Sequence, residues 1–247
     1  MDPTDGHSSV WELARRQHGV IARRQLLAFG FDSDAIKHRL ARGRLHPVER
    51  AVYAVGRPEL TQHGRWMAAI LAKGPAAVLS HRSAASLYDI ARQRGNAVHV
   101  SVAAHARRRS SPGITVHRRK ELRATQRQGV PVTRIEDTLI DLATQATDEQ
   151  LEQAINEAAK RDLIDPGALR EAASGTKRAG AAKVRTILDG YVRTDSPLER
   201  TTAEQAADRA RGQDHFVAGL TAPRFTSAQV RRDRARVEAV LRRARLA

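Results

Sequence analysis

The sequence of 247 residues has no cysteine. That excludes disulfides and cysteine-ligated zinc, and nothing marks a secreted fold. No stretch approaches the roughly 18 consecutive apolar residues of a membrane span. The opening residues, MDPTDGHSSV, are polar and acidic and lack the apolar centre of a signal sequence. The simplest expectation is a cytoplasmic protein with no membrane association. Aromatic residues make up only 4% of the chain, and no long basic amphipathic face carries the aromatic anchors that a membrane-surface protein uses. Also missing are a glycine-rich phosphate loop, a nucleophile elbow and a kinase-type motif set.

Acidic residues are in short supply. Against 27 Asp and Glu stand 43 Lys and Arg, for a formal charge of +16. Such an excess costs self-repulsion unless a polyanion offsets it, so nucleic acid is the favoured partner class. A general basic ribosome-associated protein is the bland alternative. The Ala- and Arg-rich, Lys-poor composition also fits a GC-rich coding bias, which accounts for part of the charge. The length is enough for more than one small core.

The sharpest stretch is residues 20–57, VIARRQLLAFGFDSDAIKHRLARGRLHPVERAVYAVGR. Residues 21–29 read as a short helix with Ile21, Leu26 and Leu27 on one side and Arg23 and Arg24 on the other, ended by Gly30. Ser33 then reads as the N-cap of a second helix over 34–42, in which Ile36 and Leu40 face inward and Lys37, His38 and Arg42 face out. Gly43 is the expected stop. The β-formers that follow, around Val48, Glu49 and Arg50, predict a hairpin. Upstream, Ser9 to Glu12 has capping-box spacing for a first helix with a Val10, Leu13, Ala14 stripe, on which Trp11 is expected to pack. This order is that of a winged helix-turn-helix. Its expected DNA contacts are Arg23, Arg24, Ser33, Lys37, His38 and Arg42, with Arg44 and Arg50 reaching the backbone from the wing.

Farther along, residues 61–73 predict a linker helix bearing Trp66 and Ile70, stopped at Gly74-Pro75. Residues 80–87 read as helical. AVHVSVA (97–103), ITVHR (114–118) and GVPVTR (129–134) read as strands, and helices follow over 135–144, 149–160, 166–173 and 181–191. Between the first two strands lies the basic turn Arg107-Arg108-Arg109, which reads equally as a second phosphate contact or as a solvated turn. His81, His99 and His117 invite a metal reading, but no carboxylate accompanies them at ligand spacing, so half-buried strand histidines are expected and no metal site is assigned. Asp137 and Asp141, four apart on one helix, are expected to be solvated or capping. From residue 193 the apolar content falls, and a basic tail without its own core is expected.

The run GVIARRQLLAFGF through AIKHRLARGRLHPVERAVYAVG resembles the N-terminal winged helix of the AbiEi-like antitoxins of type IV toxin-antitoxin systems. AVLSHRSAASL, VHVSV, GITVHRR and GVPVTRIEDTLIDLA resemble, in order, the second domain of their actinobacterial members. The likeness spans roughly residues 8–192. It departs at Ala22, where a capping Thr or Ser is usual, and at Ala51, where a Gly commonly precedes the strand. The predicted elements give an α+β fold, and a non-enzymatic protein with no cofactor is expected; the resemblance implies an autorepressor that binds double-stranded DNA at its own promoter and counters a nucleotidyltransferase-like toxin. Residues 8–57 would be the winged helix, 58–75 the linker helix, 76–192 a mixed α+β domain with a short sheet, and 193–247 a degenerate helical tail. SPLER (196–200) and residues 223–243 look like the two ends of an endonuclease similar to very-short-patch-repair nucleases. Between Glu199 and Phe225 only Glu204, Asp208 and Asp214 remain as carboxylates, so a metal-dependent nuclease is the alternative and an inactive remnant the expectation.

Overall fold

Strand and helix formers alternate along the chain in a way that produces two small sheets with helices on them. The structure, a computed structural model, describes residues 3–93, 95–106 and 111–193. Arg107, Arg108 and Arg109 therefore lie outside the described residues, as does the tail from residue 194, with its SPLER segment and its carboxylates. The chain divides into two compact units, Met1–Ile187 and Leu188–Ala247, and the first contains both sheets.

The N-terminal part runs α1 (Pro3–Arg16), β1 (Val20–Ala22), α2 (Arg23–Ala28), α3 (Ser33–Ala41), β2 (Leu45–Glu49) and β3 (Val52–Val55). The three strands form one antiparallel sheet in the order β1-β3-β2. The helix predicted over 21–29 is thus split. Val20 and Ile21 are β-branched and pair with Ala54 and Tyr53, so the helix begins only at Arg23. Because Ala22 has no capping hydroxyl, Gln25 Oε1 accepts from the Ala22 amide at 2.9 Å and supplies the return half of a capping box. Ser33 is not the cap of α3. Asp32 is, its Oδ1 accepting from the Ala35 amide at 2.6 Å. Helix α1 starts well before Ser9, and Trp11 is 38% exposed instead of packed. The core that does form joins Val10, Ala14, Ile21, Leu26, Phe31, Ile36, Leu45 and Tyr53. Each large member contributes about 1.5–3 kcal/mol on burial.

Helix α4 (Gln62–Lys73) is capped by Thr61, whose hydroxyl accepts from the Gly64 amide at 3.1 Å. It buries Trp66, Met67, Ala68, Ala69, Ile70 and Leu71 and packs against β1, β2 and β3 on one side and β4, β5 and β8 on the other. The second sheet contains β4 (Val78–Leu79), β5 (Val98–Ala103), β6 (Ile114–Arg119), β7 (Ala124–Arg127) and β8 (Val130–Thr133) in the order β6-β5-β4-β8-β7. It is mixed: β5–β6 and β4–β8 are parallel, β4–β5 and β7–β8 antiparallel. Two of its strands escape sequence reading for opposite reasons. β4 is only two residues long, and β7, with the sequence ATQR, is an edge strand with three exposed residues and no apolar alternation. Helix α5 (His81–Leu87) leaves β4, and α6 (Ile135–Leu142), α7 (Asp148–Lys160), α8 (Pro166–Ser174) and α9 (Ala179–Arg193) complete the described chain. Helix α6 sits against α5, α7 and α8. A β-carbon at Gly180 would run into the Ile140 carbonyl, so glycine permits that approach to α6.

Candidate functional site

Two polar clusters stand out, one on each sheet. On the first, α3 turns Ile36 into the core and leaves Ser33, Lys37, His38 and Arg42 exposed. Ser33 and Lys37 are one helical turn apart, as are His38 and Arg42, so the four occupy neighbouring rows of one face. Lys37 Nζ lies 2.9 Å from Asp34 Oδ1, with both side chains largely in water. Arg23 Nη2 donates to Ser33 Oγ at 2.7 Å and ties the first turn of α2 to the start of α3. Arg24 is directed elsewhere: its Nη1 donates to the Leu71 carbonyl of α4 at 2.8 Å, and burial lowers its pKa. Arg44 and Arg50 are exposed on the β2–β3 hairpin. At its turn Ala51 has φ +57°, a left-handed conformation that suits glycine better. Sequence reading passed over Arg39, whose guanidinium sits 4.4 Å from the centroid of the Phe31 ring and whose Nη1 donates to the Ala35 carbonyl at 3.1 Å.

The second cluster was not foreseen as one site. Strand alternation puts His99 and Ser101 of β5, and His117 and Arg119 of β6, on one face of the sheet. His81, the first residue of α5, brings a third imidazole to that face. The His81 and His117 rings stack with centroids 3.5 Å apart, and His99 Nδ1 lies 3.0 Å from His117 Nε2. His81 has φ +51° and its Nδ1 is 3.1 Å from Ser80 Oγ, so this imidazole is held by a strained backbone. Against the stack lies Asp141 of α6, only 3% exposed. Arg178 bridges Asp137 and Asp141, Arg119 closes on the second oxygen of Asp141, and Arg123 Nε pairs with Asp137 Oδ2 at 3.2 Å. Arg119 Nε also donates to Ser101 Oγ at 3.1 Å. The solvated or capping role expected of the two aspartates is therefore corrected: they are the buried acidic centre of an arginine network.

Electrostatics follow from burial. Desolvation drives the His81 pKa down to about 2, helped by His117 and Arg119. His117 falls to about 4 for the same leading reason, and His99 is also lowered. All three rings are neutral at pH 7, so the 3.6 Å approach of His81 Nδ1 to Asp141 is not an ion pair. Within the His99–His117 contact one ring donates and the other accepts. Burial pushes the Asp141 carboxyl up against the pull of Arg119 and Arg178. Here desolvation outweighs the attraction of the partners, as is common for buried ion pairs.

The network floors a cleft of about 1100 Å³ between the end of β6, the start of α6 and the α8–α9 turn. A signal for part of it existed in the sequence. Asp137 and Asp141 interrupt a helix that is otherwise Ile135, Leu139, Ile140 and Leu142, and carboxylates flanking a buried stripe need cationic partners. Nothing local pointed to Arg178, which precedes α9 in a loop. Among the described residues no group of three or more His, Cys, Asp or Glu side chains could hold a metal ion, and no helix is long and apolar enough to cross a membrane.

No curated protein matches the chain. Among solved structures it is similar to the crystal structure of the RV2827C protein from Mycobacterium tuberculosis, at 18% identity over 76% of this chain and 78% of that chain, with a TM-score of 0.46. Residues 75–190 match the family model of the AbiEi antitoxin C-terminal domain, a span that takes in the histidine stack, the arginine network and the cleft. Over that span, which is somewhat less than half of its 247 residues, the chain is similar to the AbiEi antitoxins.

Proposed function

We propose that this chain is a non-enzymatic, cytoplasmic antitoxin that binds double-stranded DNA at its own promoter, with α1 to α3 and the β2–β3 hairpin serving as a winged helix-turn-helix. The observation that carries the DNA half is the pairing of α3 with the hairpin. The helix buries Ile36 and offers Ser33, Lys37, His38 and Arg42 to solvent, while Arg44 just before β2 and Arg50 in the β2–β3 turn stand exposed. A helix of that kind enters the major groove, and the hairpin cations meet the flanking phosphates. The Arg23–Ser33 hydrogen bond orients α3 on α2, so Arg23 acts through position as much as through charge. Arg24 keeps one donor on α4, which leaves the rest of its guanidinium for a phosphate.

The antitoxin half rests on the AbiEi domain at 75–190. By that likeness the functional partner is a nucleotidyltransferase-like toxin and the DNA is the operon's own upstream region. In this reading residues 8–57 carry DNA recognition, 58–75 connect, and 76–192 carry the antitoxin function.

Gel shifts with the chain's own upstream region against random DNA, at rising salt, test the repressor. A preference for the upstream region that persists as salt weakens the non-specific component is expected. No preference at any salt overturns it. Incubation with Mg²⁺ or Mn²⁺ is expected to leave the DNA uncut, and nicking abolished by Glu199→Ala would establish a nuclease instead.

A further inference from the structure

We infer that the cleft floored by the Asp137–Asp141 network is a second ligand site, one that takes phosphate groups from a nucleotide or a nucleic-acid backbone. Its walls carry seven cationic side chains and five carboxylates, and the way they are paired matters more than the surplus. The deep carboxylates, Asp137 and Asp141, are saturated by Arg119, Arg123 and Arg178. The floor therefore offers an incoming anion little repulsion, and its guanidinium groups are fixed in advance. Asp137 first, and the rim carboxylates Glu136 and Glu121 more weakly, hold Arg123 in its charged form, and the remaining rim carboxylate, Glu171, is exposed.

Four cations remain on the rim: Arg118 and Lys120 from the end of β6, Arg134 at the N-cap of α6, and Lys177 before α9. All four are exposed and line the same cleft, and no side-chain ion pair engages them among the described residues. They come from three separate segments, so the fold, and not a local run of charge, gathers them. Arg134 makes no side-chain cap to α6, so its guanidinium is not spent on the helix, whose first turn carries Glu136 and Asp137. Guanidinium forks and ammonium groups gathered on one rim favour phosphate over a neutral ligand. The volume of about 1100 Å³ admits a nucleotide or a short stretch of strand.

The test uses the full chain carrying Lys37→Glu and Arg42→Glu, so that the α3 face does not report. Fluorescence anisotropy follows binding of a labelled 12-nucleotide single strand, with ATP, inorganic phosphate and polyglutamate as competitors. Adding Arg118→Glu and Lys120→Glu is expected to weaken oligonucleotide binding by at least about tenfold and to flatten the salt dependence by about two phosphate contacts. Lys177→Glu, on a different segment, is expected to act in the same direction, which guards against a local folding defect. Competition by ATP or phosphate identifies a nucleotide-type site, and competition by the unlabelled oligonucleotide alone identifies a backbone-type site. Both outcomes support the inference. Binding unaffected by either set of substitutions, no binding by the parent, or displacement by polyglutamate more readily than by ATP and oligonucleotide overturns it.

Discussion

Replacing Asp141 by Ala removes the carboxylate on which two guanidinium groups converge. Arg178 retains Asp137, but Arg119, with a side chain only 10% exposed, is left among the described residues with its 3.1 Å bond to Ser101. A buried cation stripped of its partner costs about 3–5 kcal/mol, a large fraction of the roughly 5–15 kcal/mol that holds a typical domain together. The Asp141 pKa moves up, not down, so the ion pair itself adds little net stability and the loss comes from the orphaned arginine. That distinction can be measured. In urea denaturation followed by circular dichroism, Asp141→Ala is expected to lower the midpoint sharply, while the double change Asp141→Leu with Arg119→Met is expected to recover most of the loss. An Asp141→Ala effect below about 1 kcal/mol would mean that water reaches Arg119 and that the network is not closed. A double variant as unstable as the single one would show that the pair contributes net attraction.

Four other outcomes are expected. His81 is neutral in the fold and titrates near its ordinary value when unfolded, so stability is highest above pH 6.5 and falls below it until about pH 2, near the folded pKa; the share due to His81 between pH 7 and pH 5 is about 2 kcal/mol. His81→Asn, which tolerates φ +51°, should flatten that slope in denaturant titrations, and an unchanged slope would refute the assignment. Ala51→Gly should raise stability by about 1 kcal/mol by relieving the left-handed turn, a gain visible as a higher melting temperature; a loss would mean the turn is not strained. Gly180→Ala should destabilise markedly, because its β-carbon meets the Ile140 carbonyl, which is backbone and cannot step aside; a neutral result would place α9 farther from α6. Lys37→Ala and Arg42→Ala should each weaken DNA binding and reduce the salt slope by about one, and if both leave binding unchanged, α3 does not face the DNA.

Much of the fold was legible where local chemistry and tertiary packing agree. Strands β5, β6 and β8 alternate in burial or in β-formers, and α7 starts at Asp148, one residue before the helix expected over 149–160. Legibility failed where partners far apart in the chain decide. Residues 21–29 have helical spacing, yet the pairing of Val20 and Ile21 with β3 takes their backbone into a strand. Trp11 sits on a helical stripe, but the core closes on Val10 and Ala14 and leaves the indole outside. The candidate sites divide the same way. The α3 face follows from the spacing of Lys37, His38 and Arg42. The histidine–arginine–aspartate network needs β5, β6, α5, α6 and the α8–α9 turn brought together, and no pattern within a single segment encodes that meeting.

Helix α4 carries a consequence for how the protein melts and how it can be cut. Its buried run from Trp66 to Leu71 touches both sheets, and Arg24 and Lys73 are tied across it, to the Leu71 carbonyl at 2.8 Å and to Ser111 Oγ at 2.6 Å. Neither sheet can lose this helix without uncovering an apolar wall, so the two are expected to unfold in a single calorimetric transition. A fragment ending at residue 57 would lack its back wall and tend to aggregate. Exchange of recognition modules between relatives by recombination would succeed only at breakpoints that carry α4 along with the first sheet.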